Sequence, residues 1–105
     1  MATTLGELLG QEITGVAFGR QGVEFRFAAD IVRSIADPCV TIGQSTYCFP
    51  KAGSRDALCL VIGSTVETVD LTPGGHLEFS TSNGCRVRIP LAAGAAEAAL
   101  FGRLV

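Results

Sequence analysis

The sequence contains one histidine, His76, and four cysteines, so these residues are the first candidates for nucleophilic catalysis or metal binding. Cysteine catalysis needs a base such as histidine within hydrogen-bond reach of the thiol. The alternation of polar and apolar residues around position 76 places His76 on the polar face and Cys85 on the apolar face of a predicted sheet. No paired acidic motif and no phosphate-binding loop is present. The sequence therefore predicts no catalytic site and no cofactor.

The cysteines lie at long and irregular spacings, with no C-x-x-C motif. Zinc sites usually show close pairs of ligands, so the spacing favours small buried thiols over a zinc site. A disulfide such as one between Cys39 and Cys48 remains an alternative, and it requires an oxidising compartment. The four residues are Cys39, Cys48, Cys59 and Cys85.

Composition points to a single domain over residues 1–105 with a packed core. The chain is 48% hydrophobic and its net charge is −2, with lysine and arginine scattered along it. Such a charge distribution argues against a nucleic-acid surface. No apolar run approaches the roughly 20 residues that a membrane span needs. Because the first twelve residues are acidic and lack a secretory signal pattern, a cytoplasmic location is predicted.

Residues 63–89 have the pattern of a three-strand antiparallel meander. The first turn, Thr72-Pro73-Gly74-Gly75, has proline and glycine where a type II turn requires them. The second turn contains Ser82-Asn83-Gly84. A three-residue loop with Gly84 in the left-handed conformation places the apolar residues of the two strands on one face.

This register specifies individual cross-strand pairs. Phe79 is expected to lie opposite Val87, and Leu77 opposite Ile89. The same register sets Glu78 opposite Arg88 and Ser80 opposite Arg86, on the polar face.

A looser copy of the same pattern precedes it. The repeat covers about residues 5–35 and 58–89. A three-residue step in both halves predicts a β-bulge near Gly15 and Thr68, or alternatively a strand that starts after a bend. The fold class that follows is α+β and β-dominated, with two similar helix–β-meander units forming a small twisted antiparallel sheet pair or a partly open barrel. The matching residues, 53 positions apart, are Leu5, Leu8, Leu9 and Gly10 with Leu58, Val61, Ile62 and Gly63.

Three helices are predicted. The first spans residues 3–9, with an apolar stripe that includes Leu9, and ends at a left-handed Gly10. The second follows an N-cap at Ser54, although a buried strand over residues 57–62 is an alternative. A C-terminal helix is predicted at about residues 92–101.

Two further strand pairs are less regular. Residues 39–42 and 46–49 flank Gly43-Gln44-Ser45 and predict a hairpin. In residues 23–35, Arg33 falls on the core face if Ile31 does, so the register of this hairpin stays open.

Two segments carry a resemblance to a known family. Residues 9–19, LGQEITGVAFG, and the hairpin formed by Leu77-Glu78-Phe79 and Asn83-Gly84-Cys85-Arg86-Val87 resemble a family of short, uncharacterised bacterial proteins. Members show a Leu-Ile-Gly-Gln-x-Val start, a Phe-Gly turn and a Leu-x-Phe-x-Asp-Gly-x-x-Leu-x-Val hairpin. The resemblance implies an all-β or α+β domain, and it provides no established activity or catalytic residues to carry over. The chain departs from the pattern at Ala28-Ala29-Asp30, where a glycine-containing turn is expected.

The favoured function is a non-enzymatic protein-interaction module, which at the level of class resembles immunity or accessory proteins. An uncharged strand over residues 45–49 predicts a sheet edge, where a protein partner or a second copy of the chain docks. The predicted interface consists of Tyr47, Phe49, Glu78, Arg86 and Arg88. For Tyr47, packing at the periphery of the core is the alternative to a role in an interface. The alternative is a small apolar-ligand binding domain, with a cavity lined by Phe18, Phe25, Phe27 and Phe79.

Overall fold

The computed structural model describes residues 5–20, 22–34, 36–72 and 75–90. The helix predicted at residues 92–101 and the conformation of Pro73-Gly74 lie outside the described residues. No helix within the described ranges is long and apolar enough to cross a bilayer.

Within these ranges, eight strands form two antiparallel sheets. Sheet 1 has the strand order β1-β2-β3, and sheet 2 has the order β5-β4-β8-β7-β6. A 3₁₀ helix, Leu5–Leu8, precedes β1, and an α-helix, α1, Ser54–Cys59, joins β5 to β6. The strands are β1 Ile13–Gly19, β2 Gly22–Phe27, β3 Ile31–Ser34, β4 Cys39–Ile42, β5 Ser45–Cys48, β6 Val66–Thr72, β7 His76–Thr81 and β8 Cys85–Pro90.

The core lies between the two sheets. Phe79 of sheet 2 meets Phe25 edge-on, with ring centroids 5.7 Å apart, and meets Phe27 at 5.8 Å. Edge-to-face contact is the geometry that aromatic rings prefer. The predicted β-dominated sheet pair is therefore confirmed, and the described strands do not close into a barrel.

The register predicted for the second meander is confirmed. Phe79 pairs with Val87, and Glu78 pairs with Arg88. Gly84 has φ +88° in the three-residue loop between β7 and β8. Because residues 77, 79, 85, 87 and 89 alternate with polar neighbours, this register buries one face of both strands and exposes the other.

The positive φ of Gly84 predicts a cost for a side chain at this position. A Cβ at position 84 meets no heavy atom within 4 Å, so the cost arises from backbone conformation and not from a clash. We expect Gly84→Ala to lower the free energy of unfolding by about 1 kcal/mol in a urea titration. Gly19→Ala is the matched control, because a Cβ at position 19 also has open space and the backbone there has no positive φ. Equal urea midpoints for the two variants would contradict this prediction.

The first hairpin of each meander contains a bulge at the matching position. One lies between Ile13 and Gly15 in β1, and the other between Val66 and Thr68 in β6. The predicted bulges are thus confirmed. A β-bulge bends the strand that contains it and adds one residue to that strand relative to its partner. In both strands it accounts for the three-residue step between apolar residues.

Reciprocal hydrogen bonds join the two meanders where β1 and β6 begin. Gly10 N–H donates to the Val66 carbonyl at 2.9 Å, and Gly63 N–H donates to the Ile13 carbonyl at 2.8 Å. These four residues form two pairs at the same spacing of 53 positions. Each meander therefore provides a donor and an acceptor to the other.

The helices differ from the sequence prediction in detail. The first is a 3₁₀ helix, and α1 excludes the alternative of a strand over residues 57–62. Ser54 is the first residue of α1 and does not cap it. The N-cap is Gly53, and the Ser54 hydroxyl donates to the Lys51 carbonyl at 2.6 Å. The N-cap glycine has no side chain, so no side-chain hydrogen bond caps the first N–H groups of α1.

The predicted apolar stripes are correct for three of the five residues whose burial is known, Leu8, Leu58 and Val61. Leu8 and Val61 are fully buried, whereas Leu9 is 50% exposed and Ile62 44% exposed. Leu9, Val61 and Ile62 lie in the turns that follow the two helices, so helical spacing does not determine which of them is buried.

The open register of residues 23–35 is settled by a short loop. Phe27 N–H donates to the Asp30 carbonyl at 2.8 Å, so Ala28 and Ala29 form a two-residue loop. Arg33 consequently pairs with Glu24 on the outer face of sheet 1. Ile31 lies on that outer face too, so the core face of β3 is formed by Val32 and Ser34.

The predicted hairpin over residues 39–49 is present, and its loop is shorter than expected. Gly43 and Gln44 form the loop, and Cys39 lies opposite Cys48. The two cysteines form a disulfide, with Cα atoms 4.0 Å apart. The prediction of free thiols is therefore wrong for this pair. Disulfides persist mainly in oxidising compartments, so this bond does not support the predicted cytoplasmic location.

Candidate interaction surfaces

The strand that the sequence predicts as a sheet edge lies at an edge of sheet 2 in the structure. β5 is the outermost strand of sheet 2, and no residue in it is charged. Tyr47 is 37% exposed, and its ring lies 3.9 Å from the position of a Cβ on Gly53. The outward carbonyl of Cys48 already accepts the Lys51 N–H at 2.9 Å. β5 therefore offers only a short run of unpaired backbone groups.

Phe49 links this edge to sheet 1. Its ring stacks on Phe18 of β1, with centroids 5.6 Å apart and planes 19° apart. The guanidinium of Arg55 lies over Phe49 at 5.0 Å and over Phe18 at 5.8 Å. Phe49 is half-buried, and its stacking and cation–π contacts hold the end of β5 against sheet 1.

Glu78 is the centre of a charged cluster on the outer face of sheet 2. It accepts hydrogen bonds from Arg88 Nη2 at 3.3 Å and Arg88 Nε at 3.4 Å, and forms an ion pair with Arg86, whose Nε lies 3.1 Å away. His76 Nε2 lies 3.7 Å from the same carboxylate. The side chains of both arginines are more than half exposed, so the cluster contributes little stability and presents a polar face to solvent.

The structure divides the predicted interface into two parts. Tyr47 pairs with Val40, which pairs with Val87, so Tyr47 lies on the core side of sheet 2. Glu78 and Arg88 occupy the next row, on the outer side. A single flat partner surface therefore does not include all five predicted residues.

The edge of β3 is a second open edge, which the sequence did not indicate. Narrow and wide pairs alternate in antiparallel ladders, so the Phe27–Asp30 hydrogen bond implies that Val32 bonds to β2. The N–H and C=O groups of Ile31 and Arg33 then point to the other side. In the described part of the chain, no strand pairs with that side.

A second charged group covers the outer face of sheet 1. Arg33 donates from Nε at 3.2 Å and from Nη2 at 2.8 Å to one oxygen of Glu24, and Arg26 lies 3.5 Å from the other oxygen. The hydrogen bond from Arg33 lowers the pKa of Glu24, and charge attraction from both arginines adds to this effect.

A cleft opens beside these charges. Its volume is about 420 Å³, and it lies on sheet 1 near the turn between β1 and β2. One aromatic residue and several small or charged residues surround it, and none of the buried core phenylalanines does. The lining residues are Ala17, Phe18, Gly19, Arg20, Gly22, Glu24 and Arg33.

His76 and Cys85 lie on opposite faces of sheet 2, as predicted. Cys85 is buried on the core face, whereas His76 contacts Glu78 on the outer face. In the described ranges, no three residues of the types His, Cys, Asp or Glu are grouped closely enough to hold a metal ion.

No protein-family model, no curated protein and no solved structure matches this chain. The resemblance to short bacterial proteins therefore stays a prediction.

Proposed function

We propose that this chain is a protein-interaction module that binds an extended segment of another protein along the open edge of β3. The main support comes from β8, which is the counterpart of β3 in the second meander. β4 pairs with β8 along the edge that corresponds to the open edge of β3. An uncovered strand edge is a template for an added strand.

The two meanders correspond pair by pair, which supports this comparison. Glu24 pairs with Arg33 as Glu78 pairs with Arg88, and both glutamates form ion pairs with these arginines. In sheet 2, Cys39 of β4 pairs with Arg88. An added strand would bond to the backbone of Arg33 in the same way.

The pairing of β4 indicates the chemistry of the partner segment. Val40 lies beside Val87 on the core face, and Thr41 lies beside Arg86 on the outer face. The partner residue opposite Val32 is accordingly apolar, and its neighbours, opposite Ile31 and Arg33, are polar. Four or more residues in this alternation suit the length of β3.

A synthetic peptide with the sequence of residues 38–43, with serine in place of Cys39, is a direct probe. We expect it to shift the amide signals of residues 31–34 in a ¹H–¹⁵N NMR titration. Ile31→Pro is expected to abolish these shifts, because proline removes an outward N–H and leaves the bonds between β2 and β3 intact.

Thr46→Pro is the matched control, since it removes an outward N–H from a different edge strand, β5. It should leave the peptide shifts at residues 31–34 unchanged. Shifts that persist in Ile31→Pro, or that occur only in β5 and β8, would refute the β3 site. A scrambled peptide that gives the same shifts would refute strand addition.

Self-association at an edge is the other form of the proposal. Tyr47→Asp and Ile31→Pro separate the two edges in sedimentation velocity, because each variant disrupts one of them. A wild-type protein that stays monomeric at high concentration removes self-association and leaves the partner segment.

We also infer that residues 5–35 and 58–89 are two copies of one helix–meander unit. The reciprocal bonds between the units support this inference, including Ile13 N–H to the Ser64 carbonyl at 2.8 Å and Val66 N–H to the Gln11 carbonyl at 3.0 Å. Superposition of residues 5–27 on residues 58–81 in an experimental structure tests it. Unrelated backbone traces would disprove the duplication.

The alternative of an apolar-ligand domain has less support. Phe79 contacts both Phe25 and Phe27 in the core, and Phe18 stacks on Phe49. Aromatic rings in mutual contact fill the space that such a ligand requires.

A further inference from the structure

The cleft on the outer face of sheet 1 has the composition of a site for a small anion. We propose that it binds the carboxylate group of a small organic acid, held by Arg20 and Arg33. This site is separate from the strand edge, because it uses side chains on the sheet face and not backbone groups.

Small residues form the floor of the cleft. Ala17 pairs with Glu24, and Gly19 pairs with Gly22, so these positions share the outer face of the hairpin. Residues without long side chains leave the volume of about 420 Å³ open. Pockets for small molecules have volumes of about 300–1,000 Å³.

In the second meander, the positions that correspond to the small residues of the cleft carry larger side chains. In the matching register, Asp70 stands where sheet 1 has Ala17, and Thr72 stands where it has Gly19. His76 likewise replaces Gly22. The second meander thus provides its own carboxylate in the row of its Glu–Arg pair, and the first meander leaves that position empty.

The charge around the cleft favours an anion. Among the lining residues, the two arginines Arg20 and Arg33 outnumber the single carboxylate of Glu24, although the whole chain has a net charge of −2. Arg33 uses Nε and Nη2 for Glu24, and Nη1 has no partner among the described residues. The exposed Arg20 has none there either. Guanidinium groups donate charge-assisted hydrogen bonds to carboxylates, so the two arginines of the lining suit a carboxylate ligand.

Titration of the ¹⁵N-labelled protein with succinate, at constant ionic strength, tests the proposal. We expect saturable shifts of the amides of residues 17, 19, 22 and 24, with a dissociation constant of about 1 mM. Arg20→Gln should weaken binding about tenfold, the loss expected for a hydrogen bond to a charged group. Arg86→Gln, an exposed arginine on sheet 2, should leave succinate binding unchanged.

A double variant, Ala17→Asp with Gly19→Thr, copies the second meander into the cleft. A Cβ at position 19 has no heavy atom within 4 Å, so we expect the urea midpoint to stay close to that of the wild type. The introduced carboxylate should occupy the arginines and abolish succinate binding.

Three results would overturn the carboxylate site. They are the absence of saturable shifts with succinate, tighter binding of inorganic phosphate than of succinate, and binding that persists in the double variant. If the double variant unfolds, the comparison of Arg20→Gln with Arg86→Gln decides, because both residues are exposed and equal succinate affinities would refute the site.

Discussion

Phe79→Ala is expected to lower the free energy of unfolding by about 3–5 kcal/mol. Phe79 is fully buried and contacts Phe25 and Phe27 across the two sheets. Its removal leaves a cavity between the sheets and also loses the edge-to-face contacts. A domain of this size has a total stability of about 5–15 kcal/mol, so the variant is close to unfolding.

Phe49→Ala is the control, because Phe49 is half-buried and stacks on a single ring, that of Phe18. Urea titrations of the two variants should show a clearly smaller loss for Phe49→Ala. Equal losses would mean that the contact between the sheets does not dominate the stability of the fold.

Loss of the Cys39–Cys48 disulfide is expected to lower the free energy of unfolding by about 2–3 kcal/mol. The bond closes a loop with a sequence separation of 9 and so restricts the unfolded chain. The measurement compares urea titrations of the wild type with those of the double variant Cys39→Ser/Cys48→Ser. Cys59→Ser, which removes a free thiol, is the control and should have a much smaller effect.

Thiol counting provides an independent check of the same bond. In denaturant without a reductant, two thiols should react, those of Cys59 and Cys85, and four should react after reduction. In the native protein Cys85 should react slowly because it is buried. Reaction of all four thiols before reduction would show that the disulfide does not form.

The sequence was sufficient to predict the second meander in detail. Strict alternation from His76 to Pro90 leaves one register that buries Leu77 and Phe79, and an asparagine-glycine loop allows few geometries. The bulges were predictable for the same reason, since a three-residue step interrupts a period of two.

The error at the β4–β5 hairpin comes from one loop residue. A loop of Gly43-Gln44-Ser45 places Cys39 opposite Phe49, whereas the two-residue loop Gly43-Gln44 places it opposite Cys48. Both loops are compatible with the residue types. A shift of one residue changes which side chains meet, so the disulfide could not be assigned from spacing.

The division of the predicted interface has a different cause. Sequence alternation assigns a face within one strand, but the relation of Tyr47 to Glu78 depends on the pairing of β5, β4, β8 and β7. The open edge of β3 was missed for the same reason. That edge is evident only because β4 pairs with β8 and not with its sequence neighbour β3.

The pairing of β4 with β8 also affects the rate of folding. Each three-strand meander closes through short loops, and such local hairpins form rapidly. Cys39 pairs with Arg88, almost half the chain away, so the entropy of a long loop opposes this contact until both meanders are in place. The contacts between the meanders, such as Gly10 with Val66, span a similar length of chain. The rate of folding should therefore depend on these long-range pairings and on docking of the β4–β5 hairpin more than on the formation of either meander alone.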